Sequence, residues 1–205
     1  MRKIAILVAT MVLLCASSRE SQADEQNYFM DIGLGVMIMP EYNKLLNDIY
    51  AAKMNGFAID YKLSLQRQII QGLTIGPKID LALLATEYNP PGRAFRQDFN
   101  YVILPGVSGR YTFKSLPSVY LQAEIDYGLS QSGTGRYDFE SWTVAYGAFV
   151  GYSFLVDEPL PDHGANAYVE VGYLEFPVDV TLNDNSEVRK NINLGGYLLR
   201  VGVIF

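Results

Sequence analysis

The sequence predicts an all-β protein, an eight-stranded antiparallel up-and-down transmembrane β-barrel. Large apolar residues alternate with small or polar residues in eight segments, several of them longer than a usual soluble strand. The chain also contains 15 Tyr and 18 Gly without a long tract of Pro, Ser or Gln, which favours many strands joined by turns. A period of two places one set of residues against lipid and the other in a lumen.

The amino-terminal segment has the pattern of a secretory signal peptide. Arg2 and Lys3 precede an apolar run, and Ser21–Ala23 offers the small residues of a cleavage site. The run is shorter than the roughly 20 residues that a membrane-spanning helix needs, and no later charge-free segment is long enough. We therefore expect residues 1–23 to be a signal peptide and residues 24–205 to form one barrel domain.

Cysteine content and charge exclude several classes of function. The single cysteine, Cys15, lies in the predicted signal, where Leu14 occupies a position that a lipoprotein signal fills with a small residue. Disulfides, thiolate catalysis and cysteine metal sites are then excluded. Without the signal's three basic residues and one acidic residue, 13 Lys and Arg face 21 Asp and Glu, a net charge of −8. Nucleic acid is excluded as a partner because binding it requires clustered positive charge.

Three predicted strands occupy the first part of the mature chain. They run from Asn27 to Ile38, from Phe57 to Leu65 and from Leu73 to about Thr86. Alternate positions of each strand carry large apolar residues, whereas the positions between them carry mainly small, polar or charged residues. This dyad repeat is typical of a strand that faces lipid on one side.

Five further strands complete the predicted barrel. They cover residues 101–113, 119–129, 142–154, 166–175 and 197–205, with the same alternation. The last strand ends on an aromatic residue and has one wholly apolar face, which we interpret as a membrane-insertion signature. Its outward residues are Tyr197, Leu199, Val201, Val203 and Phe205.

Two prolines interrupt this pattern. Pro77 and Pro105 fall inside the third and fourth predicted strands, where each removes a ladder hydrogen bond. We therefore expect a bulge or a local kink at both positions.

The terminal strand resembles that of bacterial outer-membrane β-barrels. Residues 24–205 as a whole are similar to the small eight-stranded barrels of the OmpA transmembrane domain and OmpX type, on architecture and the terminal signature rather than on an internal motif. The resemblance implies the fold and the bacterial outer membrane as location. Most members of that group stabilise the membrane or display loops for adhesion and evasion of host defence, and a few modify lipids. A soluble β-sandwich or lipocalin-like barrel also alternates, but secretion, strand length and Phe205 favour the membrane barrel.

An even strand number puts both chain ends on one side of the membrane, and the connections alternate in length as this topology requires. We assign the long connections, 39–54, 87–99, 130–141 and 176–190, to the cell exterior. The tight connection Lys114–Ser118 and the looser ones at 66–72 and 155–165 then face the periplasm. Aromatic residues fall near both interfaces, with Phe57, Tyr101 and Trp142 at the outer one and Tyr28, Phe113, Phe154 and Phe205 at the inner one.

The exterior connections contain two features that suit binding. In Pro40 to Asn55, the residues Leu45, Leu46, Ile49 and Tyr50 have a helical apolar spacing, which predicts a short amphipathic helix resting on the rim or on lipopolysaccharide, or a surface for a host or bacterial partner. Aromatic and basic residues suit contact with anionic sugars or another protein, although a solvated loop set is an equal alternative. They are Tyr88, Arg93, Phe95, Arg96, Arg136, Tyr137 and Phe139.

The predicted lumen contains charges of both signs. Hairpin geometry places Asp60 opposite Lys78 and brings Arg110 diagonally near Glu124. Glu170, Arg200 and Asp31 should lie at similar heights on adjoining strands. The complete inward set is Asp31, Asp60, Lys62, Lys78, Asp80, Arg110, Glu124, Asp126, Glu170 and Arg200, four basic and six acidic residues.

An eight-stranded barrel is just wide enough for its own side chains to fill it. Because buried charges cost several kcal/mol each unless they are paired, this set indicates a salt-bridged, hydrated plug that keeps the barrel closed. The alternative is a narrow pore for small ions or solutes in which Lys62, Lys78, Asp80 and Asp126 exchange partners.

Enzymatic and cofactor sites are not predicted. The single histidine, His163, lies in a predicted periplasmic turn, so a Ser, His and acid set cannot gather outside, and a lipid A-modifying enzyme is the least favoured reading. The glycines at 33–35 and 133–135 lack the following helix of a phosphate loop. A calcium site at Asn183–Glu187 lacks the EF-hand order, and a solvated turn explains it better.

The sequence therefore predicts a monomeric outer-membrane protein, without cofactor, metal or enzymatic activity, that acts as a structural or surface-interaction protein. Its closed, salt-bridged barrel displays four exposed loops, which suits an adhesion-type role, and a porin-like narrow pore is the alternative. Expected partners are outer-membrane lipid and lipopolysaccharide, the barrel-assembly machinery, and an extracellular protein or glycan bound through the loops.

Overall fold

A computed structural model describes the backbone of residues 28–50, 55–88, 96–131, 137–138, 140–155, 166–182 and 188–205. The predicted signal peptide, Cys15, Arg93, Phe95, Arg136, Phe139, His163 and the segment Asn183–Glu187 lie outside these ranges. Within them, no helix has the length and hydropathy needed to cross a bilayer.

Eight antiparallel strands close into a barrel, which confirms the predicted fold class and strand number. The strands follow one another around the wall in chain order, and the last pairs with the first. Their bounds are β1 Tyr28–Ile38, β2 Asn55–Ile70, β3 Leu73–Tyr88, β4 Arg96–Phe113, β5 Leu116–Gln131, β7 Glu140–Leu155, β8 Asn166–Glu175 and β11 Gly196–Ile204.

The stagger of the strands fixes their tilt. A row of directly paired residues that starts at Tyr28 on β1 passes once around the barrel and returns to β1 at Ile38, ten positions further along the chain. A shift of ten residues corresponds to about 33 Å along β1, against about 38 Å across eight strands. The strands are therefore tilted by about 40° from the barrel axis, within the usual range for membrane barrels.

The two short connections define what we call the turn end of the barrel. Gln71–Gly72 joins β2 to β3, and Lys114–Ser115 joins β4 to β5. Both chain ends of the barrel lie there too, because Met30 and Phe205 exchange two backbone hydrogen bonds of 3.1 and 2.9 Å. The looser connection expected at 66–72 is wrong: β2 continues to Ile70 with a register shift between Gln68 and Ile70.

The prolines leave the register unchanged. Pro77 faces Val107, and Pro105 faces Ile79, so the β3–β4 ladder continues through both. The pairing of β3 with β2 is interrupted next to Pro77, and that of β4 with β5 next to Pro105, but the register is the same on either side of each gap. The expected bulge is wrong at both positions, because each proline removes a donor without adding a residue to its strand; the alternative, a local kink, stays a prediction.

The opposite end, which we call the loop end, carries a folded cap. The cap consists of the helix α1, Pro40–Tyr50, and a three-stranded sheet of β6 (Tyr137–Asp138), β9 (Pro177–Leu182) and β10 (Val188–Asn193). Helix α1 begins with Pro at its first position and Glu41 in its first turn, both favourable at a helix amino terminus. The predicted helix is confirmed, whereas the fourth exterior connection forms a hairpin, β9–β10.

The outer wall of the barrel is apolar, as its alternation predicts. Tyr28, Trp142 and Phe154 are 38%, 42% and 47% exposed, as expected for side chains in aromatic girdles. The terminal-strand residues Tyr197, Leu199, Val201 and Phe205 are 52–61% exposed, and Val203 is half-buried. The inward positions are buried and fall into a charged half near the turn end and an apolar half near the loop end.

Replacing Gly72 with Ala should destabilise the barrel by about 1–3 kcal/mol, because Gly72 has a φ of 86° and an added Cβ would lie 2.7 Å from the Thr112 carbonyl oxygen. Denaturant unfolding in lipid vesicles, followed by fluorescence of the single Trp142, measures the change. Gly109→Ala is the matched control, since its Cβ would have no neighbour closer than 3.7 Å. Equal unfolding midpoints for the two variants would contradict the prediction.

Candidate functional site

The charged half of the lumen contains all ten charged residues that the sequence places inside the barrel. Each is between 1% and 6% exposed. They come from seven of the eight barrel strands. The exception is β7, whose described inward side chains carry no charge. Charged groups from different strands come within ion-pair distance of each other. Their side chains therefore extend across the lumen and fill it.

Arg200 on β11 forms ion pairs with four carboxylates, more than any other cation in the described part of the chain. Its Nε donates to Asp60 at 2.8 Å, its Nη2 lies 3.2 Å from Asp80, and its Nη1 lies 3.3 Å from Glu124 and also donates to Glu170. One guanidinium therefore binds carboxylates from β2, β3, β5 and β8, and its planar fork can satisfy several acceptors at fixed angles.

Two lysines, Lys78 and Lys62, supply further positive charge to the network. Lys78 Nζ lies 2.6 Å from Asp80 and Glu124 and 3.0 Å from Asp126. Lys62 Nζ lies 3.0 Å from Asp31, with Glu124 at 3.5 Å and Glu170 at 3.6 Å. Since each ammonium serves three carboxylates, the network is linked throughout rather than divided into separate pairs.

Arg110 closes the lumen toward the turn end. Its Nη2 donates to Asp31 at 2.8 Å, and its Nε and Nη2 donate to Gln122 at 3.0 and 2.9 Å. The guanidinium also lies over the rings of Tyr120 and Tyr168, 4.3 and 5.4 Å from their centroids. This stacking adds cation–π attraction in a desolvated site.

All ten predicted charged residues lie in the lumen, but several of the predicted pairs between them are wrong. Lys78 faces Ser64 rather than Asp60, because the β2–β3 turn is centred two residues later than expected. Arg110 pairs across the hairpin with Gln122 as the expected register requires, but its ion-pair partner is Asp31, not Glu124. Arg200 faces Glu170 as predicted.

Asp31 does not share the height of Arg200. It faces Ile204 on β11, whereas Arg200 faces Gly35, four residues nearer the loop end. Asp31 therefore binds Arg110 and Lys62, and it belongs to the turn-end part of the network.

The network holds six carboxylates and four cations. Asp60 and Asp126 are the least compensated, because each has one ion-pair partner within the described part of the chain, Arg200 and Lys78 respectively. Among the described residues, no group of three or more His, Cys, Asp or Glu side chains is placed to hold a metal ion. Chemically, the arrangement neutralises charge that is buried in the lumen.

Sequence reasoning missed two tyrosines of the lumen, Tyr120 and Tyr168, each 1% exposed. The Tyr120 hydroxyl donates to Glu170 at 2.9 Å, and its ring stacks edge-on against Tyr168 at 6.4 Å. The signal was available, since both tyrosines occupy the same alternate positions as Gln122 and Glu170.

The apolar half of the lumen was also missed. Inward residues of the barrel pack against the buried face of α1 and the inner face of β9 and β10, and Ala58, Leu84 and Val180 are fully buried. The cluster includes Met37, Met39, Tyr42, Leu45, Leu46, Leu104, Phe149, Phe176, Val178, Ile192, Leu194 and Leu198. Arg200 lies 5.2 Å from the Phe149 ring centroid, so the charged and apolar halves are in direct contact.

Asn193 fastens the cap to the barrel. Its Oδ1 accepts from the backbone N–H of Phe176 and Gly195 at 2.7 and 2.8 Å, where β8 and β11 leave the wall as β9 and β10. Its own N–H donates to Glu41 of α1 at 2.7 Å. A single buried side chain therefore replaces the ladder bonds that the bend interrupts.

Comparison with known proteins identifies the fold. No protein-family model matches the chain, and no curated protein matches it. The crystal structure of the outer membrane protein OprG from Pseudomonas aeruginosa superposes with a TM-score of 0.55 at 9% identity, over 90% of this chain and 98% of that one. The solid-state NMR structure of the outer membrane protein AlkL in DMPC bilayers gives a TM-score of 0.47 at 13% identity, over 91% and 92%.

The chain therefore has the fold of a small eight-stranded barrel of the bacterial outer membrane. In such barrels the short turns are periplasmic and the longer connections extracellular. By this rule we take the turn end as the periplasmic end and the cap as the extracellular end.

Arg200→Met should destabilise the barrel by about 3–5 kcal/mol, because four buried carboxylates lose their shared partner. Lys190→Met is the control: Lys190 lies 3.8 Å from Asp48, both side chains are roughly half exposed, and the loss should stay below about 1 kcal/mol. Denaturant midpoints in vesicles measure both. A similar small loss in the two variants would mean that the network does not stabilise the fold.

Proposed function

We propose that this protein is a closed outer-membrane barrel that anchors a folded cap at the cell surface and has a structural or surface-interaction role. The observation that carries the proposal is that side chains fill both halves of the lumen. Charged side chains fill the periplasmic half, and apolar side chains of the barrel and the cap fill the outer half.

The charged half is a poor path for ions. Every cation in it binds at least one carboxylate within 3.0 Å, and the ten side chains are nearly inaccessible to solvent. An ion that entered would have to displace these partners, which costs several kcal/mol for each buried charge left unpaired. The proposal therefore assigns the network to closing and stiffening the barrel, with no enzymatic step.

The cap supplies the surface through which the protein would act. Its buried side chains share one apolar core with the inward residues of the barrel, while Asp48, Asp179, Lys190 and Asn191 are exposed on its outside. A packed surface loses less conformational entropy on binding than a mobile loop. We infer that the cap presents a fixed polar surface to an extracellular protein or glycan.

A second candidate function is the passage of small apolar molecules. It is favoured by the apolar outer half and by a gap in the wall: residues 140–145 of β7 pair with β5, whereas β8 reaches only as far as Tyr146. Segment β9 lies beside this part of β7 without a described pairing. A molecule that entered the cap could leave sideways into the membrane there, because the charged half blocks the way below.

Refolded protein without its predicted signal should be electrically silent in a planar bilayer, since the charged half leaves no continuous water path. Insertion is verified by protease protection and by the mobility of the folded form on gels. Reproducible current steps whose size changes in Lys78→Ala would overturn the closed barrel in favour of an ion pore.

The double variant Asp48→Cys/Lys190→Cys should distinguish the anchor from apolar passage, because a short bifunctional reagent attached to both thiols through disulfides would tie α1 to β10. Uptake of a fluorescent apolar dye, N-phenyl-1-naphthylamine, is measured in intact cells, whose lipopolysaccharide leaflet slows its entry, before and after crosslinking and against cells without the protein. The anchor predicts no protein-dependent uptake in either state. Uptake that stops on crosslinking and returns on reduction would instead establish passage through the cap.

A further inference from the structure

The charges buried in the lumen do not balance. Six carboxylates face four cations, so the network has a net charge of −2 when every group is ionised. The ten side chains are at most 6% exposed, which leaves little water to screen the excess. A buried acid without sufficient counter-charge neutralises itself by binding a proton, because an uncompensated charge costs several kcal/mol. The excess therefore calls for a proton on one of the carboxyl groups or for a further cation.

Asp126 is the carboxyl group with the weakest contacts. Lys78 Nζ lies 3.0 Å from its Oδ2, but neither of its oxygens has a hydrogen-bond partner in the described part of the chain. Each of the other five carboxylates accepts at least one hydrogen bond from a lysine or an arginine. Asp60 has a single ion-pair partner too, but Arg200 Nε donates to it at 2.8 Å. Of the six acids, Asp126 therefore loses least when it binds a proton.

The residues paired with Asp126 supply no side-chain donor. On β4 it directly faces Gly106, and the neighbouring Pro105 has no backbone N–H. On β7 it directly faces Ala145. A Cβ at Gly106 would overlap Asp126 Oδ1, so the carboxyl group lies against the β4 backbone. Lys78 is thus the one cation on which Asp126 depends within the described residues.

Lys78 is shared with two other acids. Its Nζ lies 2.6 Å from both Asp80 and Glu124, closer than to Asp126, and it donates a hydrogen bond to each of them. Arg200 also pairs with Asp80 and Glu124. The charged groups around Asp126 are therefore Lys78 and Asp80 from β3, Glu124 from β5 and Arg200 from β11, and none of the two cations is available to it alone.

Asp126 also lies where the charged half of the lumen meets the apolar half. The next inward position on β5 is Gly128, where an added Cβ would overlap Leu104 and lie 2.8 Å from the Phe176 ring. Leu104 and Phe176 belong to the apolar cluster, and Phe176 connects β8 to β9 of the cap. A carboxylate beside this cluster would draw water toward apolar side chains or stay poorly solvated. A neutral carboxyl group avoids both costs.

We propose that Asp126 holds a proton in the folded barrel at neutral pH and makes closure of the lumen sensitive to pH. The proton lowers the excess of the network from two negative charges to one. When the pH rises and Asp126 ionises, a poorly paired charge lies at the boundary with the apolar half, and the closed barrel loses stability. This proton site is independent of the partner that the cap binds.

Infrared spectroscopy of the barrel refolded in a detergent without carbonyl groups tests the proton directly, because the C=O stretching band of a protonated carboxyl group is separate from the carboxylate bands. The difference spectrum of wild type minus Asp126→Asn should contain this band at neutral pH and lose it at alkaline pH. Asp60→Asn is the matched control, since Asp60 and Asp126 are both 2% exposed with one ion-pair partner each. Its difference spectrum should contain carboxylate bands only.

Urea midpoints in vesicles provide the second measurement. The folded barrel binds more protons than the unfolded chain, so its stability should fall as the pH rises through the ionisation of Asp126. Asparagine has nearly the shape of a protonated aspartic acid. Asp126→Asn should therefore unfold with wild type at mildly acidic pH and at a higher urea concentration than wild type at alkaline pH. Asp60→Asn should unfold earlier than wild type at both, because Arg200 loses a carboxylate.

Two results would overturn the proposal. Wild type without a protonated-carboxyl band at neutral pH, or Asp126→Asn that unfolds earlier than wild type at alkaline pH, would mean that Asp126 is ionised and that Lys78 suffices to pair it. A midpoint difference that follows the concentration of Na⁺ or Ca²⁺ instead of pH would assign the excess charge to a bound metal ion. Gel mobility before and after heating verifies folding, and the wild-type band decides the question even where a variant does not fold.

Discussion

Pairing of buried charge across a narrow lumen is the constraint on which this structure depends. An eight-stranded barrel has room for side chains and little else, so a charge that points inward has to find its counter-charge on another strand. Arg200 does so with four strands at once, and Lys62 and Lys78 each bind three carboxylates. A slip of one residue in any register would turn these groups toward lipid, so the network and the ladder specify each other.

Space for this network comes from inward positions without a side chain. A Cβ at Gly151 would overlap the ring of Tyr120, and one at Gly202 would overlap the ring end of Tyr168. Arg110 in turn lies over both rings, and it reaches Asp31 on β1. Backbone, ring and ion pair are thus stacked in a definite order, and a larger residue at either glycine would propagate to the charges.

The number of strands, the inward set and the membrane-facing wall could be predicted from the sequence, because alternation with a period of two is a local property. Pairing within the lumen could not, because it depends on where each turn is centred. The two-residue turn at Gln71–Gly72 moved Lys78 from Asp60 to Ser64. Contacts between opposite walls, such as that of Arg110 with Asp31, depend in addition on closure of the whole barrel.

The sheet of the cap escaped prediction for a different reason. Phe176, Val178 and Val180 alternate with less buried positions like a lipid-facing strand, but they lie in the apolar cluster that the cap shares with the barrel. Alternation indicates that one face of a strand is shielded from water, but it does not show whether lipid or protein packs against that face. Likewise, Leu84, Leu104 and Leu198 occupy inward positions, and only the fold shows that α1 and β9 complete an apolar core above the charged half.

The position of Arg200 on the closing strand has a consequence for biogenesis. Until β11 joins both β8 and β1, the carboxylates of Asp60 and Glu170 have no guanidinium to bind, and a barrel of seven strands would hold them in a half-formed lumen. An open intermediate is therefore penalised by unpaired charge as well as by unpaired strand edges. Arg200 thus favours the closed barrel over open intermediates, since its ion pairs form only when β11 pairs with both β8 and β1.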